Sequence, residues 1–417
     1  MESISQLSAI QSERTPYAVV FALDGINGIQ TARTLAKRGI PVIGLASNPK
    51  HPFCRTKICK KIIITDTLDN KVITALEVLG PKLGQKAVLF PCNNIEVQLV
   101  SRNRERLVNW YHIILSDPEV DELLMDKASF YSYAQKEGLS IPRTFVLKDK
   151  LDAEQAAKEL SFPCILKPSI RLIEWEQNSS LKAYKVFTAE ELLALYNQCQ
   201  KWSKDLIVQE WIEGPDSNIY TCYCYFGVDS EPLVTFVTRK LRQWPAERGD
   251  GCLSEECRND EVLRETVRLF KKVHLRGLGY LELKLDSRTG KYLIVEPNIG
   301  RPSNKSALAE ASGVELVYTM YCDALGWALP GNRIQKYETG KWIYLRRDLL
   351  SAFYYWRRGE LTLMNWCRSL RGICLEALFS WSDPAPFWYD LIFAFGKYIL
   401  QKKRRKDNFR EPFPGIL

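Results

Sequence analysis

The sequence predicts an α/β domain, then an α+β domain, then an aromatic and basic C-terminal segment. Three observations carry this. Residues 1–121 alternate short apolar runs with helix-spaced apolar positions, the pattern of a parallel sheet covered by helices. Residues 122–330 carry strand-like runs joined by local turns, which suits antiparallel sheets. Residues 331–417 hold eighteen of the aromatic residues and sixteen Lys+Arg against eight Asp+Glu, so nearly all of the net charge of +9 lies there.

A chain of 417 residues, 46% hydrophobic and 26% charged, is long enough for two or three packed domains and is not mainly disordered or collagenous. The near-neutral body argues against a nucleic-acid groove and leaves a local anionic partner for the tail. Twelve cysteines without a C-x-x-C pair, and three histidines at no metal-ligand spacing, read as reduced and mostly buried thiols. The opening MESISQLSAIQSERTPY shows no basic cluster before an apolar core, so the expectation is a cytoplasmic protein.

In chain order, Ala18 to Ala22 is a buried strand, followed by the turn Asp24 to Gly28. Ile29 to Arg38 reads as a helix, with Ile29, Ala32 and Leu35 at helical spacing and Gly39 just past its end. Pro41 to Ala46, Ile62 to Ile64 and Ala87 to Phe90 complete an alternating β/α pattern. A dinucleotide fold would want G-x-G-x-x-G and an acidic residue after the second strand. Asp24-Gly-Ile-Asn-Gly28 and Ser47-Asn48 supply neither, so a tight turn packing the helix on the sheet outweighs an NAD site. The loops Gly25 to Gly28 and Cys92 to Glu96 lie at strand ends, where open α/β sheets bind ligands, or are plain surface turns.

In the second segment, Lys127 to Gly138 and Ala153 to Leu160 are candidate helices. Strands follow at Cys164 to Lys167, Ala183 to Phe187, Leu206 to Trp211, Tyr220 to Phe226 and Leu233 to Thr238, with Cys222 and Cys224 on one face as packing residues. Gly279 to Asp286 and Tyr292 to Glu296 form a hairpin across Ser287-Arg-Thr-Gly290. In the last segment, Asp383-Pro-Ala-Pro386 reads as a helix stop followed by Phe387 to Leu400, too short and too charged to span a bilayer.

The chemistry-bearing residues are mostly on the middle strands. Glu282 and the pair Glu296 and Asn298 lie on the two arms of the hairpin, where two carboxylates and an amide oxygen can meet as hard ligands for Mg²⁺. Read alone, the two carboxylates are more readily solvated acids on a hairpin than metal ligands. Lys167 ends a buried strand, Leu206 to Trp211 offers edge backbone to an adenine, and Asp216 follows a Gly-Pro turn. Lys240 and Arg242 alternate along one strand, and Arg248 to Gly251 is a glycine loop able to close over phosphates.

Taken in order, Asp126-Lys127, Ile165-Leu-Lys-Pro168, Val208-Gln-Glu-Trp-Ile-Glu-Gly-Pro-Asp216, Arg239-Lys-Leu-Arg242, Tyr280-Leu-Glu-Leu-Lys-Leu-Asp286 and Val295-Glu-Pro-Asn-Ile-Gly-Arg301 resemble the ATP-grasp superfamily, and its carboxylate–amine ligase-like members most closely. The resemblance implies a pre-ATP-grasp, Rossmann-like domain at 1–121, a two-subdomain ATP-grasp domain at 122–330, and a helical extension with a basic tail at 331–417. It gives Lys127 and Lys167 to the nucleotide phosphates, Gln209, Glu210, Trp211 and Ile212 to the adenine, and Asp216 to the ribose. Lys240, Arg242 and Arg301 take catalytic places around the transferring phosphoryl group, and Glu282, Glu296 and Asn298 bind the metal. Arg301 departs from the commoner E-x-N-x-R by standing three residues after Asn298, not two.

The implied cofactors are ATP and Mg²⁺, with Mn²⁺ as the alternative ion. The implied reaction joins a small-molecule carboxylate to an amine through an acyl-phosphate, in a homodimer where the family pattern holds. The shifted Arg301 and the unusual tail motivate a second reading, a catalytically degenerate nucleotide-binding scaffold on a membrane. For residues 387–406, aromatic then basic, two readings stay open: peripheral contact with anionic lipid at the inner membrane surface, or a helix covering the core with a solvated basic end.

Overall fold

The computed structural model describes residues 1–3, 14–170, 173–179, 181–203, 205–247, 249–337 and 340–394. Arg248 of the glycine loop, and the part of the tail from 395 that includes the basic cluster, lie outside the described residues.

Three sheets organise the chain. The first is six-stranded and all parallel, in the order Glu2–Ser3, Lys61–Ile64, Val42–Ala46, Ala18–Val20, Ala87–Phe90, Tyr111–His112. Alternate residues enter opposite layers: Val19, Ile43 and Leu89 join one apolar cluster, while Ala18, Val20, Val42 and Phe90 join another. The first helix, Ile26–Lys37, starts a turn earlier than the apolar spacing indicates. Gly28 permits this, since a Cβ there would stand 2.1 Å from the Ala22 carbonyl oxygen. The Gly25–Gly28 turn thus brings helix and strand together.

The second sheet is antiparallel and four-stranded, Thr144–Leu147, Leu206–Glu210, Cys164–Pro168, Tyr184–Val186. Its inner face buries Leu166, Leu206 and Val208 against the helices Lys150–Glu159 and Ala189–Cys199.

The third sheet has seven strands: Tyr292–Ile299, Gly277–Leu285, Ile219–Phe226, Pro232–Trp244, Asp250–Glu256, Lys341–Ile343, Ile373–Glu376. Cys222 and Cys224 are buried on one face with their sulfurs 3.5 Å apart. The strand Asp250–Glu256 begins inside the segment read as a glycine loop. The last two strands come from beyond residue 330, so the C-terminal segment adds to this sheet as well as carrying helices. Their amphipathic signal is masked because residues 341–343 and 373–376 are too short for a clear period of two.

The C-terminal segment is also pinned to the first domain. Buried Asp383 accepts from the Arg33 guanidinium, the Thr56 hydroxyl at 2.7 Å and the Lys57 amide. Pro386 sits within the first turn of a helix over 385–394, where its missing N–H has no helical partner to lose. No helix among the described residues is long and apolar enough to cross a membrane.

Candidate active site

The register of the large sheet assembles one row of polar side chains. Glu282 stands opposite Glu296, and Tyr280 opposite Asn298, so both carboxylates and the amide share one face. Lys240 reaches the same face from the strand Pro232–Trp244 and its ammonium lies 2.9 Å from a Glu282 oxygen. Across from them, Ile165, Lys167 and Gln209 line up on the cavity side of the four-stranded sheet. Lys127 opens the helix Lys127–Lys136, whose N-cap Asp126 accepts from the Ser129 amide at 2.7 Å.

Two cavities meet over these residues. One, of about 320 Å³, runs between the sheets and is lined by Lys127, Lys167, Gln209, Glu210, Trp211, Ile212, Ile165 and Val295. The strand ends at Glu210, so Trp211 and Ile212 leave the ladder at its apolar mouth. The other, of about 450 Å³, reaches toward the first domain and is lined by Ile26, Asn27, Asn94, Asn298, Arg301, Lys305 and Arg347. Lys127, Lys182, Lys240, Asp250, Glu282 and Glu296 belong to both linings.

The electrostatics follow from crowding in a desolvated place. Burial alone would raise the Glu296 pKa, but Lys127 and Lys167, the Asn298 amide and Lys240 outweigh it and hold the carboxyl below its ordinary range. Burial pushes the Lys167 ammonium down to about 8, with Glu296 opposing; its Nζ donates to the Tyr131 hydroxyl at 3.2 Å. Burial likewise disfavours charge on Lys240, yet Glu282 more than compensates and raises its pKa. Arg301 donates to Asn298 Oδ1 at 2.7 Å and to Asn94 Oδ1 at 2.5 Å, with its guanidinium 5.3 Å from the Tyr280 ring centre. It ties the amide of the row to a helix N-terminus of the first domain.

Eleven of the thirteen residues singled out in the sequence line these cavities; Arg242 and Asp216 do not. Bulges on either side of Arg242 break the alternation and turn it off the face of Lys240. Its guanidinium instead grips Asp348 at 2.8 and 2.9 Å and Ser369 at 2.9 Å. The Asp216 carboxylate is taken by Gln243 at 2.7 Å and Tyr355 at 2.6 Å, in a neighbouring hollow. Sequence reasoning missed Tyr131, Lys182, Asp250, Gln243, Lys305 and Arg347, which line the cavities. Only Asp250, beside the glycines, carried a local signal.

Hard oxygen donors on one face, ringed by lysines, are the donor set that Mg²⁺ and polyphosphate require, so the residues fit both groups. Among the described residues there is no cluster of three or more His, Cys, Asp and Glu; the amide of Asn298 is part of this set.

Known proteins agree with this architecture. No family model matches the chain. Its fold is similar to N5-carboxyaminoimidazole synthetase from Staphylococcus aureus, with a TM-score of 0.58 at 14% identity over 77% of this chain and 79% of that one. It is also similar to biotin carboxylase from Campylobacter jejuni, with a TM-score of 0.59 at 16% identity over 76% and 72%. In sequence it matches D-aspartate ligase from Enterococcus faecium, 23% identical over 241 residues, 56% of this chain and 57% of the relative. A D-alanine–D-alanine ligase from Ectopseudomonas mendocina is 34% identical over 184 residues, 42% and 55%. The chain therefore has the ATP-grasp fold. In sequence it is similar to these two ligases over part of its length, and it spans a little over half the length of these curated relatives.

Proposed function

We propose that the protein is an ATP-dependent ligase that joins a small carboxylate to an amine and releases ADP and phosphate. The observation that carries this is the facing pair Glu282 and Glu296 with Asn298 beside them, set where the two cavities meet. ATP occupies the cavity between the sheets, its base against Trp211 and Ile212 and its phosphates among Lys127, Lys167 and Lys240. Glu282, Glu296 and Asn298 would hold magnesium, which would neutralise charge at the phosphates. Biotin carboxylase from Campylobacter jejuni, solved as a complex with beta-gamma-ATP, supports a nucleotide in this fold.

The protein's own work is positioning. Lys240 stays protonated beside Glu282 and faces the transferring phosphoryl group, and Arg301 keeps Asn298 aimed. The carboxylate substrate enters from the larger cavity and becomes an acyl-phosphate, and the amine displaces phosphate from it. No protein nucleophile is needed. Hydroxylamine tests this: in place of the amine it should intercept the acyl-phosphate as a hydroxamate, formed in step with ADP. ADP released without hydroxamate under any carboxylate would overturn the acyl-phosphate step.

A second role belongs to the C-terminal surface. The helix Leu345–Arg357 exposes Leu349, Leu350, Phe353 and Trp356 at helical spacing, and the helix over 385–394 exposes Trp388 and Ile392. The two are bridged by Arg346 and Asp390 at 3.2 Å. They form an apolar face suited to a lipid surface, and the sequence of this segment carries an excess of Lys and Arg that anionic lipid would attract.

A further inference from the structure

Lys305 is a buried cation without a direct ion pair. It is 6% exposed, lines the larger cavity, and no carboxylate among the described residues stands within ion-pair distance of its Nζ. Lys240, in the same lining, is paired with Glu282, and its charge further disfavours charge on Lys305, while Glu282 and Asp250 favour it from beyond ion-pair distance. Ser254 and Trp342, paired across adjacent strands, are buried with the hydroxyl oxygen and the indole nitrogen unpartnered, and the Trp342 ring centre lies 6.0 Å from Lys305 Nζ. Gly251 makes room for this side chain, since a Cβ there would stand 2.9 Å from both Lys305 Cε and Nζ.

A buried ammonium ordinarily costs stability unless it is paired. Glu282 is already paired with Lys240, and Asp250 with Lys182 and Arg347, so the lining keeps an excess of positive charge toward the open cavity. The cavity's rim adds a further cation, Arg347, held 3.5 Å from Asp250. Burial lowers the Lys305 pKa to about 8, so the group is protonated at neutral pH and ready to pair.

We propose that Lys305, with Arg347 at the rim, seats a carboxylate of the substrate that does not itself react, and so selects a substrate bearing a second anionic group. This rests on the ligase reading for the word substrate, but the anion seat is testable without turnover. Limiting acetic anhydride labels accessible amines, and mass spectrometry reads each lysine separately. Acetate, succinate and glutarate serve as carboxylate probes, acetamide as the uncharged control, and Mg²⁺–ADP as the nucleotide control. At least one carboxylate should protect Lys305 by about tenfold, the strength of a charge-assisted hydrogen bond, while acetamide and Mg²⁺–ADP leave it reactive. Equal labelling under all conditions overturns the proposal, as does full protection by Mg²⁺–ADP alone, which would assign Lys305 to the phosphates. In turnover assays Lys305→Met should raise KM for the carboxylate-bearing substrate about tenfold with KM for ATP unchanged, and Lys305→Arg should recover part of it. A KM that stays put in Lys305→Met contradicts the seat. A failed ligase reading instead shows as absent hydroxamate with carboxylate protection of Lys305 intact.

Discussion

Arg242 and Asp348 form a buried, two-pronged ion pair at 2.8 and 2.9 Å that locks the helix Leu345–Arg357 onto the large sheet. Asp348 also accepts from the Trp366 indole at 2.9 Å. Removing one partner leaves the other charge buried and unmatched, which costs about 3–5 kcal/mol. Asp348→Ala is therefore expected to unfold at clearly lower denaturant concentration. A variant as stable as the parent in urea would show that the pair contributes nothing.

Arg301 bridges Asn298 to Asn94. Groups that orient a metal ligand typically change metal affinity or activity by about 10–100-fold. Arg301→Ala should weaken Mg²⁺ by that order in a calorimetric titration with ATP present, and Asn94→Ala should move it in the same direction. Unchanged Mg²⁺ affinity in both would leave the bridge without a functional consequence.

Lys167 gives the site a pH dependence. Its ammonium has a pKa of about 8, so it is charged below that pH and neutral above it. Nucleotide affinity should be level below pH 8 and fall as the pH rises through it, by at most about tenfold per unit while ATP remains fully ionised. Lys167→Met should weaken binding at pH 7 and flatten the profile. A profile that keeps its slope in the variant assigns the titration elsewhere.

The exposed face at Phe353, Trp356, Trp388 and Ile392 should bring the protein down with vesicles rich in anionic lipid and not with neutral ones. High salt should weaken this, and Trp388→Ser with Ile392→Ser should weaken it further at any salt. Equal recovery with both vesicle types, or none, contradicts a lipid-facing role.

Much of the site was legible because its parts lie on regular strands. Glu282, Glu296 and Asn298 obey the simple alternation of a hairpin, and Lys167 and Gln209 obey it on the other sheet. The reading failed where alternation breaks or partners come from far away. Arg242 was expected beside Lys240, but the bulges around it reverse its direction. Asp216 meets Tyr355, a residue 139 positions later that no local pattern links to it. Lys305 stands alone nine residues past Glu296, and its meaning appears only when the nearby carboxylates prove to be paired with other cations. The fold shows the same contrast. The four central strands of the parallel sheet follow from uninterrupted apolar runs, whereas the strands Lys341–Ile343 and Ile373–Glu376 depend on contacts with the rest of the large sheet.

The central claim is that Glu282 and Glu296 organise magnesium for ligation. Its most direct test is release of ADP and phosphate by the protein with Mg²⁺ and a pool of amino acids and small carboxylates, run beside Glu296→Ala. Turnover that requires the pool and disappears in a folded Glu296→Ala variant is the expected result. Turnover that survives in the variant, or that proceeds equally without the pool, would contradict the claim.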